Sequence, residues 1–202
     1  MFELDLKLIM AALAAILAVG GTVPYIIDTL KGRSQPHIYT WFIWLVTVGT
    51  AAFVSLEGGG GAAAYALFVS LAVVTTVFLL SLRYGTKNIT RSDTAALVAA
   101  FVMVIVWWQL ESPLLAVLMA TAIDGVGYIP TYRKSYEEPW SETKVFWLIS
   151  ALSGVFALLA IDSYNLLTVT YLVAIMILNA GVFLLLIWRR RLIPAPQSKI
   201  VQ

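Results

Sequence analysis

VPYIIDTLKGRSQPHIYTWFIWLVTVGTAAF, residues Val23–Phe53, occurs twice in this chain. Shifted by 103 residues it lies over Val126–Phe156, and nine of the 31 positions are then identical. The Val23/Val126, Ile26/Ile129, Leu45/Leu148 and Phe53/Phe156 pairs are within reach of chance in an apolar sequence. Tyr25/Tyr128, Lys31/Lys134, Pro36/Pro139, Thr40/Thr143 and Trp44/Trp147 in the same register are not. A repeat of this kind is read before anything else, because it sets the architecture. Here one helix–loop–helix unit is used twice.

Outward from that unit, the chain is far more apolar than a soluble domain. Of its 202 residues 12% are charged, against about 25% in an ordinary globular protein. Its mean hydropathy is +0.90. Such a chain cannot cover its surface with polar groups, which predicts an integral membrane protein with the lipid bilayer as its main partner. Cysteine is absent, which excludes disulfides, thiolate metal sites and cysteine nucleophiles. The first apolar stretch is too long for a secretory signal and lacks a small-residue cleavage site, so it is expected to persist as a helix.

A helix needs about 20 apolar residues to cross the hydrocarbon. Cutting at charges predicts seven spans: Leu8–Ile27, Ile38–Leu56, Gly59–Leu82, Thr94–Leu110, Ser112–Ile129, Val145–Ile161 and Ser163–Trp188. Strands are excluded because an open sheet edge cannot face lipid. Lys31, Arg33 and His37, then Arg83, Lys87 and Arg91, then Arg133, Lys134 and Lys144, and finally Arg189–Arg191 and Lys199 fall on one side. Glu57, Glu111 and Asp162 fall on the other, in loops without Lys or Arg, and Lys7 alone breaks the pattern. The positive-inside rule then places the N-terminus outside and the C-terminus in the cytoplasm; separately, a bacterial inner membrane is the expected location. Asn88-Ile89-Thr90 matches a glycosylation sequon but falls on the cytoplasmic side. Gly58–Gly61 reads as a flexible outer turn.

The repeat pairs spans 1 and 2 with 5 and 6, and span 3 with 7, which share a VFLL run at Val77–Leu80 and Val182–Leu185. Both copies run in the same direction, so the predicted arrangement is a parallel 3+1+3 repeat about an axis along the membrane normal. Residues 1–83 form the first three-helix unit, 84–111 the linker helix, 112–191 the second unit and 192–202 a disordered tail.

Pro24-Tyr25, Lys31, Arg33-Ser34 and Pro36, answered by Pro130, Lys134 and Pro139 in the second copy, resemble the PQ-loop superfamily. The likeness is to SWEET sugar facilitators and PnuC-type vitamin transporters, and closest to an uncharacterised bacterial branch with a PY…GR…PH…TWxxW pattern. The glutamine that names the motif is Tyr25 here and Tyr128 in the second copy. The resemblance implies seven helices as 3+1+3 with the N-terminus outside. It also implies transport of a small polar solute such as a sugar or vitamin by alternating access, with prolines near the cytoplasmic ends acting as hinges.

Asp124 is the one ionisable group deep in a predicted span. Such groups usually face a cavity, although an interfacial place or a helix-capping role would also serve. Asn179 resembles the asparagine that faces the pocket on the third helix of SWEET-type repeats, or else makes an interhelical hydrogen bond. Its counterpart in span 3 is Thr76 at the main offset, or Val74 if the VFLL run sets the register. Asp124, Asn179, Thr75 and Thr76 are the expected pocket residues. Trp44, Trp147, Tyr25 and Tyr128 recur in the repeat and are candidates for pocket or gate. Trp41, Trp44, Trp140 and Trp147 otherwise read as an aromatic belt at the interface. Pro36 and Pro139 read as helix starts, Pro24 and Pro130 as hinges. Lys31, Arg33 and Lys134 read as topology determinants and His37 as a solvated loop residue.

No phosphate loop, nucleophile elbow or metal-ligand cluster is present. The chain is expected to be no enzyme, to carry no cofactor or metal and to bind no nucleic acid; a homo-oligomer is open. The alternative to a carrier is a non-transporting receptor or sorting protein on the same scaffold.

Overall fold

The computed structural model describes residues 2–109 and 112–195. Glu111 and the tail from residue 196, Lys199 included, lie outside the described residues. The regular elements are helical: α1 (Phe2–Leu30), α2 (Ile38–Glu57), α3 (Ala62–Tyr84), α4 (Arg91–Trp108), α5 (Pro113–Glu137), a 3-10 turn at Pro139–Ser141, α6 (Lys144–Leu159) and α7 (Leu166–Leu192). Five of them, α1, α2, α3, α5 and α7, are long and apolar enough to cross a membrane. At 18 and 16 residues, α4 and α6 rise only ~27 and ~24 Å. This is the architecture of a helical membrane protein.

Its surface supports that reading. Leu8, Ile16, Val23 and Leu30 along α1, and Leu79 and Leu184 on α3 and α7, are exposed. In water so continuous an apolar face would be a liability; in a bilayer it is the lipid-facing side of each helix.

Most expected boundaries move by a few residues. α1 and α5 pass through Pro24 and Pro130 without a break, each ring freeing only the carbonyl four residues before it, Gly20 and Val126. α5 then runs eight residues past Ile129, because the charges that marked its end find partners. Pro139 opens the 3-10 turn and not α6, and Pro36 precedes α2 by two residues.

α3 packs against both α1 and α2, and α7 against both α5 and α6. The two triples meet where α1 lies on α6 and α2 on α5, while α4 sits outside against α5 and the edge of α2. Two glycines allow the close approaches. A Cβ on Gly21 would fall 2.7 Å from Ile149 Cγ2, and one on Gly127 would fall 2.9 Å from Ile43 Cγ2. Near the start of α1, the Lys7 ammonium donates to the Ile161 carbonyl just past the end of α6. Trp140 Nε1, just before α6, donates to the Ile193 carbonyl beyond α7 at 2.9 Å. The described termini therefore lie at opposite ends of α6, and Lys7, the exception to the charge pattern, is bound by loop carbonyls.

The α7 end of the bundle is held by buried charge, which corrects three expectations. His37 is 1% exposed, with Nε2 3.2 Å from Asp93 Oδ2. Asp93 also receives Arg133 through Nε at 3.1 Å and Nη2 at 2.8 Å, as well as the Thr90 amide at 2.8 Å. Lys134 is wholly buried, 2.6 Å from Glu142, and donates to the Gln35 carbonyl. Neither residue is solvated: His37 is no loop residue in water, and Lys134, expected as a topology determinant, is sealed in an ion pair. Trp41, Trp44 and Trp147 are also core residues at 2%, 4% and 1% exposure, leaving Trp140 as the partly exposed one.

Candidate functional site

A cavity of about 100 Å³ lies where the two triples meet. Every helix but α4 contributes to its wall: Ala14, Ala18 and Thr22 from α1, Trp41, Trp44 and Val48 from α2, Ala66 to Val74 from α3, Tyr128 from α5, Phe146 to Ala157 from α6 and Tyr171 to Asn179 from α7. Alanines and serines leave the space because their side chains stop short of the axis. A water needs only ~10–15 Å³ of such space, so a small solute or several waters fit.

The cavity is bounded by aromatic rings at the level of the first turns of α2 and α6. Trp41 and Trp44 stand 5.1 Å apart edge to face, and Trp44 and Tyr128 are 4.6 Å apart. Below them Tyr25 packs on Phe146 at 4.6 Å and on Trp41 at 5.5 Å. Edge-to-face and offset contacts of this kind are favourable and well defined in geometry. Trp147 sits 5.0 Å from Phe146 and donates through Nε1 to Glu142 at 3.2 Å. The aromatic layer thus rests on the buried Lys134–Glu142 pair.

Polar groups are few. Tyr128 donates to Asn179 Oδ1 at 3.0 Å, and Ser153 donates to the Ala14 carbonyl at 2.9 Å across the α1–α6 contact. The buried Trp44 Nε1 has no partner among the described residues. Among the described residues no Asp, Glu, Lys, Arg or His lines the wall. Such a cavity suits an uncharged molecule with a flat or apolar face and a few hydrogen-bonding atoms.

The residues singled out by sequence divide as follows. Trp44, Tyr128 and Asn179 line the cavity. Tyr25 and Trp147 lie in the aromatic layer beneath it. Asp124, 1% exposed, lies behind the wall, where Oδ1 accepts from Thr47 and, at 3.1 Å, from Tyr171. Thr75 bonds the Leu71 carbonyl at 2.7 Å off the cavity, and Thr76 is exposed and bonds the Ala72 carbonyl at 2.9 Å. Val74, from the other register, takes the place opposite Asn179 in the wall. The reason is helical phase: Thr76 is ~200° around α3 from Val74.

Several wall residues carried no individual signal. Ser150 stands opposite Thr47 under the repeat offset and Phe146 opposite Ile43, a weak hint at best. Tyr171 recurs as neither identity nor motif, and Asp93–Arg133 joins positions no spacing rule connects. No family model, curated protein or solved structure matches the chain.

Proposed function

We propose that the chain is a SWEET- or PnuC-like facilitator of a small, uncharged polar solute, working by alternating access between two parallel three-helix units. The observation that carries this is the cavity itself, built by the six repeat helices and not by the linker α4. The 103-residue offset also interchanges two contacts between the units: Thr143 donates to Asp28 at 2.8 Å, and Thr131 donates to Thr40 at 3.2 Å. Under this reading all seven helices span, the N-terminus is outside, and the buried charges mark the cytoplasmic end. The aromatic layer is then the closed inner gate. Pro24 and Pro130, inside α1 and α5, are the places where a freed carbonyl lets each unit bend.

The test is uptake by the purified protein in liposomes, run over a panel of sugars, nucleosides and vitamins. Saturable, counterflow-competent uptake that is lost in Asn179→Ala and Trp44→Ala is expected. Saturable binding without uptake would instead establish the receptor reading, and neither binding nor uptake would overturn both.

A further inference from the structure

Asp124 is the one carboxylate enclosed between α2, α5 and α7, and only half of it is satisfied. Oδ1 accepts from the hydroxyls of Thr47 and Tyr171. Oδ2 is buried and has no partner among the described residues. An ionised carboxylate with a bare oxygen in such a place bears its full desolvation cost.

No cation among the described residues compensates it. From α7 the ionisable group that faces it is the Tyr171 hydroxyl, and on α5 itself Tyr128 lies one turn away. α2 brings only Thr47 at this level, its Glu57 being at the far end. On α4, Arg91 and Asp93 stand at the opposite end of the helix, Asp93 against Arg133, which is ~13 Å along α5 from Asp124. A metal cation entering here would find one carboxylate and two hydroxyls, short of the roughly six oxygens that a hard cation takes, and no cluster of metal-ligating side chains stands here among the described residues. A proton on Oδ2 needs no such ligand set and removes the charge.

Tyr171 gives this group its connection to the cavity. Its ring lines the wall while its hydroxyl holds Asp124 Oδ1. A solute that displaces the ring, or a rocking of α7 against α5, breaks that bond and opens the carboxyl to cavity water. We propose that Asp124 is a proton-binding site whose loading is linked to cavity occupancy through Tyr171, making the carrier proton-coupled. On release the O–H bond of Oδ2 breaks, its electron pair stays on the carboxylate and the proton passes to water in the cavity. The coupling rests on the carrier reading above; the proton site does not.

Infrared difference spectroscopy of the full chain in liposomes, with hydrogen–deuterium exchange at neutral pH, reads the site without any solute. A protonated-carboxyl stretch in the wild type that is absent in Asp124→Asn is expected. Tyr171→Phe should keep the band and shift it, because one hydrogen bond to Oδ1 is gone, and this variant serves if Asp124→Asn does not fold. No band in the wild type, or a band unmoved by either change, overturns the site. For coupling, uptake should rise severalfold under an inward acid gradient in the wild type and be indifferent to the gradient in Asp124→Asn. Gradient-independent uptake in the wild type, or stimulation by sodium in its place, overturns the coupling and leaves transport standing. Absence of all uptake overturns the carrier reading and the coupling with it, while the infrared band still decides the site.

Discussion

Lys31 and Lys134 are matched lysines under the 103-residue offset, yet Lys31 is exposed and Lys134 is sealed against Glu142. Removing one member of a buried pair strands the other charge, at a cost of about 3–5 kcal/mol. Lys134→Met should accordingly lower the thermal midpoint in detergent steeply, and Lys134→Met with Glu142→Leu should recover part of the loss. A loss in the double variant equal to the sum of those in Lys134→Met and Glu142→Leu alone would show that the pair itself contributes nothing. His37 is tested by pH. Burial drives its pKa below the usual histidine range, and the attraction of the Asp93 carboxylate only partly opposes this. With the folded pKa below the unfolded one, the unfolded chain binds more protons once the pH falls under ~6.5, and stability declines there. The midpoint should therefore be flat at and above neutrality and drop on acidification, the drop being smaller in His37→Gln. At this scale the sequence was misleading: a lysine and a histidine beside a loop look solvated, and only the approach of Asp93 and Glu142 from elsewhere says otherwise.

Whole helices were far easier to read, because lipid imposes one requirement on every residue of a span. Each of the seven expected spans overlaps one observed helix; Leu8–Ile27 and Ile38–Leu56 lie wholly inside α1 and α2, and the other five overrun a helix end by one to three residues. The ends moved because charge was taken as a stop, and buried partners let α5 carry Arg133 and Lys134 onward. Helix phase was not legible in the same way, as Thr76 shows. Contact between elements makes its own prediction at the glycines. Gly21→Ala drives a methyl into Ile149, and overpacking of this kind costs roughly 1–3 kcal/mol. Gly20→Ala has nothing within 4 Å and should gain up to about 1 kcal/mol from helix propensity. Thermal midpoints of the two variants in parallel check this, and equal behaviour would mean that α1 and α6 do not touch there.

For the molecule as a whole, the absence of cysteine makes accessibility mapping clean. Ser163→Cys, between α6 and α7, should react with an impermeant maleimide added outside intact cells. Lys87→Cys, between α3 and α4, should react only after permeabilisation. The reverse pattern would invert the proposed orientation, and labelling of both from outside would remove the odd number of crossings. By itself the sequence determined that the chain is a helical membrane protein. That is a property of composition along the chain, which lipid reads residue by residue. Tertiary structure alone decided that Asn179, Tyr128 and Trp44 share a cavity, that Asp124 stands behind its wall and that Asp93 meets Arg133. Those facts depend on how far each helix is rotated about its axis and which helix is its neighbour, and in a chain where nearly every position is apolar the hydrophobic pattern carries almost no information about either.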